Sequence, residues 1–237
     1  MVWGMRLPDS FGEFWPLGDF EYDPKEKDTG WYDRLRLHYL AQTPDEQIRL
    51  FDYRGFDHGG NGIGYGASKY RTYVSGKFIH EVGTKDGPDS LPFGTAGAHE
   101  APLTFDTEKT YASLGSLIKL NDRILAVDET LKAVIERLEP GVHQFFPIEI
   151  RMPKGEVFPK NYYTLVIGQY LESYSLENSD ESKKNMTGRA FSKDAFGKSH
   201  LWRDRRAPMV NCFSDELMTE ISEAGLRMPK HYKMKEI

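Results

Sequence analysis

The chain has one cysteine, Cys212, in 237 residues. That count excludes an internal disulfide, a cysteine-rich zinc site and an iron–sulfur cluster. Long apolar runs are also missing. The longest aliphatic stretches, Ile124–Val127 and Leu165–Ile167, are far short of the ~20 residues that span a bilayer, and the opening MVWGMRLPDS has no basic start followed by an apolar core. There is no basic surplus either: the formal net charge is −5 and the isoelectric point about 5.8. Nucleic-acid binding leans on cationic phosphate contacts, so it is not expected here. A soluble, cytoplasmic protein with no membrane and no nucleic-acid partner is the expectation.

What is present argues for a folded chain. Hydrophobic residues make up 39 % and aromatics 13 %, well above what a disordered chain carries. The first third is crowded with aromatics: Trp3, Phe11, Phe14, Trp15, Phe20, Tyr22, Trp31 and Tyr32 stand among Pro and Asp without helical or strand period. They suggest an arm packed on the body, or an aromatic contact surface. Thr43–Phe51 has the cap, first-turn proline and glutamine of a short helix. Asp57–Gly66 is a glycine cluster. It lacks the preceding strand, the closing Gly-Lys-Ser/Thr and the following helix that a phosphate loop needs, and reads as a surface loop. Tyr70–Val74 and Lys77–Val82 around Ser75-Gly76 predict a hairpin, and Gly83–Pro102 a long loop.

From Ile118 onward the pattern sharpens. Asp128 is placed to cap a helix with Leu131, Val134, Ile135 and Leu138 on one face and Pro140-Gly141 as its stop. Phe146–Met152 alternates as a half-buried strand, and Tyr162–Ile167, apolar on both faces, predicts a central strand. Met209–Phe213 predicts a strand. Ser214 then caps a second helix carrying Leu217, Ile221 and Ala224, stapled by Phe213 and Met218 and ended by Gly225. His231–Ile237 predicts a closing strand. The expected fold is α+β: a mixed or antiparallel sheet with a few short amphipathic helices. A loop- and β-rich N-terminal lobe (1–110) and an α+β lobe (111–237) would together make one compact unit.

No catalytic constellation emerges from spacing. The seven histidines do not pair at three to five residues, His80-Glu81 and His99-Glu100 lack the second histidine of a zinc-protease helix, and no Gly-x-Ser-x-Gly elbow occurs. No catalytic residue, metal or cofactor is therefore expected. Two charged clusters stand out, each as a solvated surface or a partner contact: the acidic run Leu176–Ser182 and the Arg203-Asp204-Arg205-Arg206 run. Cys212 lies in a strand-like run, where a buried thiol is the ordinary case.

The second half resembles a known family. Leu125-Ala126-Val127-Asp128 before the helix, Glu139-Pro140-Gly141-Val142-His143-Gln144-Phe145-Phe146-Pro147-Ile148, Tyr162-Tyr163-Thr164-Leu165, His200-Leu201-Trp202-Arg203 and Val210–Leu217 with Glu223-Ala224-Gly225-Leu226 follow one another. In that order they are similar to the immunity family eleven domain of bacterial polymorphic-toxin systems, over roughly residues 118–237. The resemblance implies a non-enzymatic protein that protects a bacterium by binding a cognate toxin domain, and it brings no catalytic residues. Glu177, Asp180 and Glu181 are the candidate acidic contact loop for that partner. Two other functions stay open on the residues alone: an enzyme reversing toxin damage or acting on a small molecule through Asp57, His58 and the glycine loop, and an effector adaptor or chaperone gripping through the aromatic arm.

Overall fold

A computed structural model describes residues 1–21, 30, 31, 34, 35, 38, 41, 96–180 and 186–237. The helix expected at Thr43–Phe51, the glycine cluster with Asp57 and His58, the hairpin at 70–82 and most of the loop that follows lie outside the described residues, as does Glu181. The strands are β1 (Val2–Arg6), β2 (Gly18–Phe20), β3 (Thr104–Thr107), β4 (Leu117–Lys119), β5 (Leu125–Asp128), β6 (Gln144–Met152), β7 (Glu156–Val157), β8 (Tyr162–Val166), β9 (Tyr170–Leu171), β10 (Ala190–Phe191), β11 (Leu201–Asp204), β12 (Ala207–Ser214) and β13 (His231–Glu236). Three helices matter below: α1 (Glu129–Leu138), α2 (Lys193–Phe196) and α3 (Asp215–Glu223). The fold is α+β, with two mixed sheets.

The seven-stranded sheet runs β2-β3-β6-β8-β5-β4, with β7 added on β6. Its middle is the strand that is apolar on both faces. β8 lies between β5 and β6, antiparallel to both, with Tyr162 and Leu165 almost fully enclosed. β6 alternates as expected: Ile148 and Ile150 are buried, while Pro147, Glu149 and Arg151 are exposed. β5 leads into α1 through Asp128, whose carboxylate accepts the Leu131 N–H at 2.9 Å. Leu131, Val134 and Ile135 face the core, each stabilising by ~1.5–3 kcal/mol of burial. Gly141, at φ 72°, turns the chain out of the helix.

The six-stranded sheet runs β10-β13-β1-β12-β11-β9. Its centre is β1, antiparallel to both β12 and β13, which corrects the expectation of an N-terminal arm without strand character. Val2 and Met5 are fully enclosed, so both faces are covered and no alternation shows in the sequence. Gly4 leaves room for the Met234 side chain: a Cβ there would lie 2.6 Å from its sulfur, and the flexible end of Met234 would have to shift. The aromatics of the first third divide: Phe20 and Trp31 are core residues packed edge-on at 4.7 Å, whereas Phe11 is half exposed.

Ser214 caps α3 through Oγ, which accepts the Leu217 N–H at 3.1 Å. Leu217, Met218 and Ile221 are buried. Ala224, expected on the same face, is instead the exposed C-cap, because the helix ends one residue before it. Phe213, Leu217, Met218 and Ile221 join Leu131 and Ile135 in one core cluster. α1, which follows β5, and α3, which follows β12, therefore share their apolar faces, and Arg137 of α1 pairs with Glu220 of α3 across the outer rim.

Candidate functional site

The candidate contact loop starts as a pinned turn. Ser179 donates its N–H to Leu176 O at 3.1 Å and its hydroxyl to Ser175 O at 2.5 Å, while accepting the Ala190 N–H at 2.9 Å. Glu177 projects from it exposed. Asp180 is half-buried and its N–H bonds Gly188 O at 2.9 Å. The turn thus presents Glu177 on a braced backbone and holds Asp180 closer to the body.

The second charged run behaves differently from its expectation as a solvated face. Arg203 and Asp204 are 2 % and 0 % exposed, and only Arg205 and Arg206 reach solvent. Asp204 Oδ2 accepts the Ser173 N–H at 2.5 Å, the Ser173 hydroxyl at 2.8 Å and the Tyr174 N–H at 2.7 Å, while Oδ1 accepts the Arg206 N–H at 2.9 Å. The Ser173 hydroxyl in turn accepts the Trp202 indole N–H at 3.0 Å. Arg203 donates its Nε–H to Asn211 Oδ1 at 2.9 Å. A buried carboxylate is tolerated only when its lone pairs are filled, and four donors do so here. Asp204 therefore fixes the 173–174 backbone against β11.

A second buried polar node was not anticipated, although His143 was among the residues that carry the family resemblance. Glu139, just past α1, and His143, just before β6, are 6 % and 7 % exposed. Glu139 Oε2 accepts from His143 Nε2 at 2.7 Å and from the Leu201 N–H at 2.9 Å. Oε1 accepts the His200 N–H at 2.7 Å and the Gln169 side-chain amide. The Gly168 N–H donates to His143 Nδ1 at 3.1 Å. That last bond sets the tautomer: Nδ1 is the acceptor, so the ring proton is on Nε2 and points at Glu139.

Desolvation opposes the charged form of Glu139, but the His143 side chain and the His200 and Leu201 N–H groups outweigh it and hold the carboxyl below its ordinary value. Gly168 is obligatory in this node, since a Cβ there would lie 1.8 Å from Val142 O.

A carboxylate bonded to a histidine invites comparison with an acid–base pair. The geometry does not support one. Both ring nitrogens are occupied and the histidine side chain is fully enclosed, so no ring nitrogen can reach a substrate proton. What the node does is mechanical. It ties the end of α1 and the start of β6 to the residues that open β11, and so joins the seven-stranded sheet to the six-stranded one. Sequence spacing gave one available signal, a glutamate four residues before a histidine across a Pro-Gly break. Nothing local announced that Gln169, His200 and Leu201 would converge on the same carboxylate.

Cys212 is fully enclosed in β12. Burial, and then the charge of Asp204, push its thiol well above 9.0, so it stays protonated and inert as a nucleophile. Among the described residues no group of three His, Cys, Asp or Glu side chains is arranged to hold a metal ion, and no helix is long and apolar enough to cross a membrane.

The described residues define an α+β protein in which two buried carboxylates, Asp204 and Glu139, tie strands and turns together. The Imm11 immunity protein family matches residues 91–236, well over half of the chain, and the chain belongs to that family. The match starts upstream of the resemblance seen in the sequence and takes in β3, β4 and the short turn at Ala98–Glu100. No curated protein matches the chain.

Proposed function

We propose that this chain is an immunity protein that neutralises a cognate bacterial toxin by direct, non-enzymatic binding in the cytoplasm of the bacterium that makes both. Membership of the Imm11 immunity family carries the reading. The occupied state of the buried acid–histidine node and the protonated, enclosed Cys212 support a binding role over a catalytic one. The partner is a toxin domain, and the net charge of −5 favours one with a basic face. In this reading Glu177, Asp180 and Glu181 form an acidic contact loop.

Co-expression with the polypeptide encoded by the neighbouring gene tests the proposal. Protection of the host together with a stoichiometric complex on co-purification is the expected result. Protection without a complex would overturn direct binding and point to an enzyme that repairs the damage. Replacing Glu177, Asp180 and Glu181 together by Ala should slow association most at low salt; unchanged association would remove the loop from the interface.

A further inference from the structure

The exposed side of α3 is a ridge between two depressions. On one side an open cleft of about 830 Å³ lies between α3, the Gly197–Ser199 turn and the end of β13. On the other a groove of about 320 Å³ is walled by Trp3 and His231, with Met218 beneath. Asp215, Thr219 and Glu223 border both. Trp3 is only partly covered and stacks edge-on against His231 at 5.7 Å. Its indole N–H donates to Asp215 Oδ1 at 2.8 Å, which holds the ring against the ridge.

Charge divides unevenly over this face. Glu220 is paired with Arg137, and Glu236 with the Met1 ammonium at 2.8 Å and Lys193 at 3.6 Å, both of which also line the cleft. Glu223 has no ion pair among the described residues. Glu216 is 66 % exposed, and its nearest opposite group is the His200 ring nitrogen at 3.8 Å. Lys198, exposed and in no ion pair among the described residues, also lines the cleft, from the Gly197–Ser199 turn. Asp215, Glu216 and Glu223 therefore form an acidic ridge with no Lys or Arg in ion-pair contact among the described residues, beside a partly covered tryptophan that has Lys233 over its ring at 5.4 Å. First-turn acids such as Asp215 and Glu216 suit the N-terminus of any helix. Glu223, in the last turn, does not gain from the dipole, and an aromatic anchor with charge beside it suits recognition of a cationic partner.

We infer that the α3 ridge, with the cleft and the Trp3 groove on its two sides, is the docking surface for a basic, Arg- or Lys-bearing segment of the toxin. One or two cationic side chains of that segment would enter the cleft against Glu216 and Glu223, while an apolar part covers Trp3. The inference rests on the toxin-binding reading above and gives it a place on the molecule. It also has a structural advantage: α3 is held from behind by the shared core with α1, so the ridge is rigid before binding and little ordering cost is added.

The test uses the full-length protein and the polypeptide encoded by the neighbouring gene, with association and dissociation followed on an immobilised partner at low and high salt. Glu216→Lys/Glu223→Lys is compared with Glu108→Lys/Glu156→Lys. The second pair makes the same change in net charge at exposed positions away from α3, one just past β3 and one on β7. The α3 reversal is expected to slow association ~10-fold or more at low salt and to weaken the complex, the control to change it less than ~3-fold. Thr219→Trp, which fills the ridge without changing charge, should speed dissociation. Thermal unfolding of each variant shows that it is folded. If the α3 reversal and Thr219→Trp bind as the control does, the docking surface is wrong and toxin binding stands. If the unmutated protein forms no complex, the toxin-binding reading fails and the docking surface with it.

Discussion

Replacing Glu139 by Gln keeps the shape of the joint between the sheets and removes its charge. The carboxylate accepts four bonds, two on each oxygen. An amide has one oxygen, so whichever way it is turned its NH2 meets two donors. With the NH2 on the Oε2 side, the Leu201 N–H loses its acceptor, and Leu201 is fully enclosed. His143 could turn its Nε2 into an acceptor only by moving its proton to Nδ1, against the Gly168 N–H. With the NH2 on the other side, the His200 N–H and the Gln169 amide are stranded. At least one buried donor is therefore left unsatisfied, at ~1–3 kcal/mol, and the remaining bonds lose their charge assistance.

The expected loss is roughly 2–4 kcal/mol at neutral pH, or a midpoint lower by about 4–16 °C for a chain of this size. Urea unfolding and thermal melts of both proteins measure it. The pH dependence makes the test specific. A carboxyl whose folded value lies below its ordinary 4.5 contributes stability that is fully present above that ordinary value and is lost as pH falls through the folded one. The gap between wild type and variant should stay constant from pH 7 to about pH 5 and close below it. A loss under ~0.5 kcal/mol, or a gap as large at pH 3 as at pH 7, would refute the account of the joint.

Gly168→Ala places a methyl carbon 1.8 Å from Val142 O, a backbone contact that cannot yield to a rotamer change. It should cost more than Glu139→Gln, on the order of 4 kcal/mol or more, read as failure to accumulate in soluble form or as a much lower melting midpoint. Cys212, enclosed and held protonated, should be silent to a thiol reagent in the native protein and react once the chain is unfolded; rapid native labelling would mean that β12 opens without global unfolding.

Parts of the fold were legible because their signals are local. An N-cap aspartate or serine, a stripe at i, i+3, i+4 and a glycine stop are satisfied within a dozen residues. α1 and α3 accordingly form where Asp128 and Ser214 place them and stop near Gly141 and Gly225, both at positive φ. The alternation of β6 and the doubly apolar β8 are equally local, since each residue's face is fixed by the pleat.

The candidate sites were less legible, and the reason is energetic. Arg203, Asp204, Glu139 and His143 are residues whose burial is costly alone and tolerable only with partners. Those partners come from residues 169, 173–174, 200–201 and 211, on other strands and turns. A charged run in one sequence defaults to the surface because the default omits the donors that tertiary structure supplies.

The sequence by itself thus determined the α+β composition, the two capped helices with their apolar faces and the central strand. It also showed the absence of a disulfide framework or a membrane-spanning run, because each of these depends on neighbours along the chain. Only the tertiary structure decided that β1 would fill the middle of the six-stranded sheet and that Glu139 would bind four donors across two sheets. It also decided that the acids of α3 would stand between an open cleft on one side and the Trp3 groove on the other. Each of these is a meeting of residues far apart in sequence, held by packing and by the requirement that buried polar groups find partners.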